Sequence, residues 1–176
     1  MAAALKLLRR YSYDDYKEWE GRWELIDGVA YAMAPAPYPK HQRVVFQIAK
    51  ELDRTLKCGE CEVYIAPVDW KIDKHNVVQP DVAIFGEEPS KQYFTKTPIL
   101  VVEVLSLATA LKDLTVKFQL YERVGVPYYV IVNPESEEVE VYKNSPNGFQ
   151  KEEFDEEVTF LWPQCQAKID FTKVFS

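Results

Sequence analysis

Three ionisable residues stand where apolar ones are expected. In TPILVVEVLS, residues 97–106, Glu103 interrupts Ile99, Leu100, Val101, Val102, Val104 and Leu105. In VVQPDVAIF, residues 77–85, Asp81 breaks a second apolar run. An ionised carboxylate taken out of water without a partner is costly, so such a residue is paired, protonated or bound to a cation. If neighbouring strands set Asp81 beside Glu103, the two charges repel and one carboxyl takes up a proton. A divalent cation shared between them removes that cost, and an all-oxygen ligand set favours Mg²⁺ or Mn²⁺ over zinc. Lys117 is the third residue. On a helical wheel of about 100° per residue it lies roughly 80° from the centre of the Leu111–Phe118–Tyr121 stripe. From that border of the core face a long side chain reaches back toward a sheet.

Each residue also has a plain structural explanation. Asp81 can cap a turn begun at Gln79-Pro80. Glu103 can form a buried ion pair with a lysine or arginine. Lys117 can pair with Asp113, one turn earlier, in a surface contact worth a few tenths of a kcal/mol. These explanations are independent of one another, whereas a shared site accounts for all three residues together. On the residues alone both stand open.

The elements that would position these groups are legible in the hydrophobic pattern. Ser12 with Asp15 is a helix-start signature for a short helix through Tyr16 and Trp19. RWELIDGVAYAMA holds two β-rich runs around Asp27-Gly28, a strong hairpin signal. After the loop PAPYP, Val44, Val45, Ile48, Leu52 and Leu56 recur at helical spacing from about His41 to Leu56. Strand-like runs follow in EVYIAP, VDWKID, VVQPDVAIF and TPILVVEVLS. Pro80 supplies no ladder N–H, which marks an edge, a bulge or a kink. A helix is expected from about Thr109 to Val124, with Leu111, Leu114, Phe118 and Tyr121 on its core stripe and Gly125 and Pro127 ending it. PYYVIVNP reads as a buried strand and EEVEVYK as its antiparallel partner. A turn over Asn144–Gly148, two short strands and an irregular tail complete the chain. The expected fold class is α/β (α+β), a single domain over residues 1–176 with a central mixed β-sheet flanked by helices.

Composition narrows the function classes. The chain of 176 residues is 47% hydrophobic and 28% charged, as in an ordinary globular protein. No apolar run approaches the ~20 residues that span a bilayer. The opening MAAALKLLRR carries its charges after its apolar piece, so no secretory signal is expected and a cytoplasmic location is. The net charge of −7 argues against coating nucleic acid by charge alone. It leaves room for an enzyme with local carboxylates and a local basic rim, for which Lys40, Arg43, Lys71 and Lys74 are candidates. Cys58 and Cys61 form a CxxC without a second such pair, and Cys165 makes the set odd. Free thiols in a turn between helix and strand are the expectation, with a structural zinc site as the rarer alternative.

The order of Pro-Asp, an acid within an apolar strand, and then a lysine resembles the PD-(D/E)XK restriction-endonuclease-like superfamily. More closely, WELIDGVAYAMAP, KHQRVVFQIAKEL, VVQPDVAIF, ILVVEVLSLAT and KDLTVKFQLYERVGVPYYVIVNP resemble the bacterial family called domain of unknown function 820, whose members are inferred nucleases. The resemblance implies a restriction-endonuclease-like fold. It also implies metal ligation by Asp81 and Glu103, with the lysine role moved from position 105, here Leu105, to Lys117. Glu24 and His41 match two further positions of the inferred site. Where the family commonly has EVLSPST, Leu107 and Ala108 replace the proline and the serine.

The function so implied is Mg²⁺- or Mn²⁺-dependent hydrolysis of phosphodiester bonds in nucleic acid, with DNA the expected form and a homodimer the expected assembly. Asp81, Glu103, a strand carbonyl near Val104 and Glu24 would hold the ion, Lys117 would serve the attacking water, and His41 would be auxiliary. Two rivals remain. One is a nuclease-fold module whose chemistry has lapsed and which binds DNA or a protein partner. The other is a two-carboxylate glycosidase, for which carboxylate separation decides.

Overall fold

A computed structural model describes residues 9–33, 37–107 and 109–176. The segment MAAALKLL, the start of the proline-rich loop and Ala108 lie outside them. Ser12 and Asp15 form the expected capping box at the start of α1 (Tyr13–Tyr16), where the Asp15 carboxylate accepts the Ser12 N–H at 2.9 Å. β1 (Trp23–Ile26) and β2 (Val29–Ala32) form the expected hairpin. Both turn residues have positive φ, 50° at Asp27 and 77° at Gly28, as a tight hairpin turn of this kind requires. α2 (Pro39–Thr55) has proline in its first turn, where the missing N–H costs no helical hydrogen bond.

β3 (Glu62–Ile65), β4 (Asp69–Asp73), β5 (Asn76–Val78), β6 (Val82–Phe85), β7 (Tyr93–Phe94) and β8 (Leu100–Val104) follow. VVQPDVAIF is therefore two strands, not one. Gln79-Pro80-Asp81 carries the chain from β5 in one sheet to β6 in another, so the proline marks a kink between sheets. Next come α3 (Ala110–Leu114), α4 (Val116–Arg123), β9 (Tyr128–Asn133), β10 (Glu138–Ser145), β11 (Gly148–Glu152), β12 (Glu157–Trp162), β13 (Cys165–Asp170) and α5 (Phe171–Val174). The single helix expected over 109–124 is broken at Thr115, whose φ of −122° and ψ of −71° leave the helical region.

The six-stranded mixed sheet has the order β11-β10-β9-β8-β6-β3, with β8 and β9 parallel across the α3–α4 crossover. A second sheet has the order β2-β1-β5-β4-β7, and β12 pairs with β13 as a separate hairpin. On one face of the six-stranded sheet, Val82, Ile84, Leu100, Val102 and Val104 pack against Val44, Val45, Ile48 and Leu52 of α2. On the other, Ala83, Val101, Tyr129 and Ile131 pack against Leu120 and Tyr121 of α4 and against Ile26, Trp70 and Val78 of the second sheet. Burial of both faces explains why β6, β8 and β9 read as continuous apolar runs rather than alternating ones. No described helix is long and apolar enough to cross a membrane.

Candidate active site

The antiparallel ladder between β6 and β8 pairs Val82 with Val102. One step further along the same register, Asp81 faces Glu103. Asp81 precedes β6 and, instead of continuing the ladder, turns its carboxylate onto the neighbouring strand, where Oδ2 accepts the Val104 N–H at 2.8 Å. Glu103 stands beside Val101 in the pleat alternation and so points to the α4 face of the sheet.

On that face Glu103 meets Lys117. The Lys117 ammonium donates to Glu103 Oε1 at 2.8 Å and lies 2.8 Å from Glu24 Oε2 and 3.7 Å from Asp113 Oδ1. Tyr121 donates its hydroxyl to the same Glu103 oxygen at 2.8 Å. Lys112 donates to Glu24 Oε1 at 2.7 Å, and the Gln79 N–H to Glu24 Oε2 at 2.8 Å. Lys117 is only 1% exposed, and Glu24, Glu103 and Asp113 are buried with it. The expected surface pair of Lys117 with Asp113 is thus a buried one. The helix face is also turned relative to the expected stripe. Leu111 is 77% and Leu114 45% exposed, while Asp113, Lys117, Leu120 and Tyr121 face inward. The inward face continues across the break at Thr115, since Asp113 of α3 and Lys117, Leu120 and Tyr121 of α4 share it.

Burial and charge set the protonation of this group. Burial drives the Lys117 ammonium downward, but Glu103, Glu24 and Asp113 outweigh it and hold Lys117 charged, well above its ordinary range. Burial pushes Glu24 up, and Lys117 and Lys112 together more than offset this, leaving it lowered. Burial dominates at Glu103, where Lys117 opposes it and Asp113, Asp81 and Glu24 add to it, so its carboxyl is well above the usual range. Asp113 is pushed up to about 6, by burial first and against the pull of Lys117.

His41, in the first turn of α2, approaches from the opposite side. Its Nε2 donates to the Val104 carbonyl at 2.8 Å and lies 3.6 Å from Asp81 Oδ2. Burial lowers its pKa, but Asp81 more than compensates, so the ring is raised. Val104 is therefore held at both of its backbone polar groups, its N–H by Asp81 and its carbonyl by His41.

Asp81, Glu103, Lys117, Glu24 and His41 all line one cleft of about 270 Å³, together with Arg22, Lys112 and Asp113. The structure thus brings together these five residues singled out from the sequence, while Val104 does not line the cleft. None of Lys40, Arg43, Lys71 and Lys74 lines it. Lys71 instead stacks over the Tyr13 ring at 4.1 Å, and Lys40 lies 3.6 Å from Glu135. Lys112, Tyr121 and Arg22 escaped the sequence reading. Asp113, Lys117, Leu120 and Tyr121 follow an i, i+4, i+7, i+8 pattern that could have shown the buried stripe, had the leucines not offered a competing one.

The donor set suits a hard cation. Among the described residues, no hydrogen bond reaches Glu103 Oε2 or Asp81 Oδ1, and both residues line the cleft. The set is all oxygen, as Mg²⁺ and Mn²⁺ require. Glu24 differs, since both of its oxygens already accept from Lys112, Lys117 and Gln79.

Comparison with known proteins finds relatives of both the sequence and the fold. The family model described as "Uma2: Putative restriction endonuclease" matches residues 13–167. An uncharacterized protein of Synechocystis is 30% identical over 148 residues, covering 79% of this chain and 77% of the relative. A crystal structure from Anabaena variabilis, titled a "putative nuclease belonging to DUF820", aligns with a TM-score of 0.74 at 15% identity. That alignment covers 93% of this chain and 97% of the other.

Proposed function

This chain belongs to the Uma2 restriction-endonuclease-like family, and on that premise we propose that it is a metal-dependent nuclease hydrolysing phosphodiester bonds of DNA. The observation that carries the proposal is the convergence of Asp81, Glu103 and Lys117 in one cleft with one oxygen of each acid left without a donor. Asp81 and Glu103 are the residues to hold Mg²⁺ or Mn²⁺; the Val104 carbonyl, expected as a further oxygen, is already taken by His41 and does not line the cleft. Such an ion, when bound, acidifies water and offsets charge on a phosphoryl oxygen.

The remaining work belongs to the chain's own side chains. Lys117 offers a fixed positive charge to the attacking water and to the charge growing on the scissile phosphate. Glu24 keeps Lys117 charged and holds both Lys117 and Lys112 in place rather than completing the metal shell. Tyr121 fixes the orientation of Glu103. His41 and Asp81 clamp Val104 between them, so the strand end cannot drift. Arg22, whose Nε donates to Gln79 Oε1 at 3.1 Å, and Lys112 supply the basic groups of the cleft in place of the rim lysines. Cleavage of both strands calls for a second site, most simply in a twofold dimer.

The test is cleavage of plasmid, linear and single-stranded DNA in Mg²⁺ or Mn²⁺ by the wild type and by Glu103→Gln. The variant is expected to lose more than the roughly 10–100-fold typical of a residue one shell further out. Full cleavage by Glu103→Gln would contradict the mechanism.

One observation favours a second reading, a lapsed module that binds DNA without cutting it. The Lys117 ammonium and the Tyr121 hydroxyl are already partnered by Glu24 and Glu103 without any ion. That reading calls for DNA binding that survives Asp81→Asn without any divalent ion.

A further inference from the structure

The three cysteines, far apart in sequence, meet at one point. Cys58 and Cys61 flank the two-residue turn Gly59-Glu60 between α2 and β3, with their Cα atoms 5.5 Å apart. Cys165 opens β13. Lys57 and Gln166 form an antiparallel bridge through two backbone hydrogen bonds, Lys57 N–H to Gln166 O at 2.8 Å and Gln166 N–H to Lys57 O at 3.2 Å. One step along that bridge, Cys58 stands opposite Cys165, with Cα atoms 4.8 Å apart, the close spacing of a pair whose side chains lie together. The backbone therefore forces the third cysteine onto the CxxC pair. All three sulfurs lie within 4.8 Å of one another, and each residue is half-buried. Cys58 Sγ contacts both of the others.

We propose that Cys58, Cys61 and Cys165 form a structural site for a thiophilic metal ion of the zinc class, separate from the cleft and from its hard cation. A sulfur can share only one disulfide bond, so a disulfide would use two of the three cysteines and leave the last thiol pressed against it without a role. One tetrahedral zinc uses all three. Zinc–sulfur bonds of about 2.3 Å need ligand sulfurs that converge on one point, as the backbone makes these three do. Binding replaces the thiol protons, which pass to solvent, and the fourth corner is open to water because the cluster is only half-buried.

The ion would act as a clip. Cys58 and Cys165 are 107 residues apart in sequence. Bridging them ties the end of α2 and the edge strand β3 to the β12–β13 hairpin. That hairpin otherwise holds to α2 through packing and through bonds such as that from Thr55 Oγ1 to the Lys168 carbonyl at 2.8 Å. Cys165 joins the two thiols of the turn, a neighbour that CxxC spacing could not reveal.

The test uses the full chain, purified with neither chelator nor added oxidant. Native mass spectrometry is expected to find one zinc per chain, and alkylation to find all three cysteines protected until a strong chelator is added. Replacing zinc with Co²⁺ should give thiolate-to-cobalt charge-transfer bands, which Cys165→Ser abolishes. The chelator should lower Tm in the wild type and leave Cys165→Ser unmoved. If that variant fails to fold, the wild-type cobalt spectrum and alkylation pattern decide the matter. A chain two hydrogens lighter with a single reactive thiol would overturn the proposal in favour of a disulfide. Three thiols that alkylate freely in excess zinc, with no cobalt band, would overturn it outright.

Discussion

Removing Lys117 would leave Glu24 and Glu103, both fully enclosed, sharing no ammonium between them. Breaking a buried pair in this way costs roughly 3–5 kcal/mol, so Lys117→Met is expected to unfold at markedly lower urea. Tyr121→Phe is gentler. It removes only the hydroxyl that donates to Glu103 and should cost about 1.5–3 kcal/mol, the range for a hydrogen bond to a charged group. An unchanged urea midpoint for Tyr121→Phe would mean that Glu103 does not depend on that bond. Asp113 carries a pH signature. With its carboxyl raised to about 6 from 3.8, the folded chain holds this proton more tightly than the unfolded chain. Its contribution to stability is therefore full below about 4 and is lost as pH rises through about 6. The stability difference between wild type and Asp113→Asn should shift against the wild type across that window, and a flat difference would contradict the assignment. These residues were unequally visible in the sequence. Asp81 and Glu103 stood out because a lone acid in an apolar run violates burial rules. Lys112 and Tyr121 did not, because a lysine or tyrosine on a helix is unremarkable until its facing strand is known.

Turns and periodicity carried most of the elements. The Asp27-Gly28 hairpin, the α2 face of Val44, Ile48 and Leu52, and the β9–β10 pairing each follow from local signals that tertiary packing then reinforces. The α3–α4 region is where local signals misled. Leu111 and Leu114 imitate a core stripe but are exposed, whereas Phe118 and Tyr121 of the same stripe pack into the core and the buried Asp113–Lys117 pair lies beside them. No helical wheel contains the partner that decides this. Likewise, nothing local says that β5 and β6 belong to different sheets, although Pro80 marks the kink that separates them. The end of α4 offers a clean probe. Gly125 has φ of 82° and no heavy atom within 4 Å of where a Cβ would sit. Gly125→Ala therefore tests backbone conformation without a clash, and a loss of about 1 kcal/mol in urea unfolding is expected. A neutral result would show that the positive φ at this C-terminal cap is not needed to seat the helix that carries Lys117.

At the scale of the molecule, two sheets and two helical layers converge on one cleft, and each supplies one part of it. β1 brings Glu24, the β5–β6 crossing brings Asp81, β8 brings Glu103, α2 brings His41, and α3 with α4 bring Lys112, Asp113 and Lys117. The overall fold class was legible because strand and helix runs alternate clearly. The division into two sheets was not, because strand partners are set by long-range pairing. A net charge of −7 gives little general attraction to a polyanion, so on the proposed nuclease reading engagement of nucleic acid would draw on the cleft and on the cation proposed for it. Metal binding therefore comes before any choice of substrate. The most direct test is a calorimetric titration of Mn²⁺ into the folded chain, alongside Asp81→Asn and Glu103→Gln. Binding by the wild type that is lost in both variants is the expected result. A folded wild type that takes up no Mn²⁺, or variants that bind it as the wild type does, would contradict a metal centre built on Asp81 and Glu103.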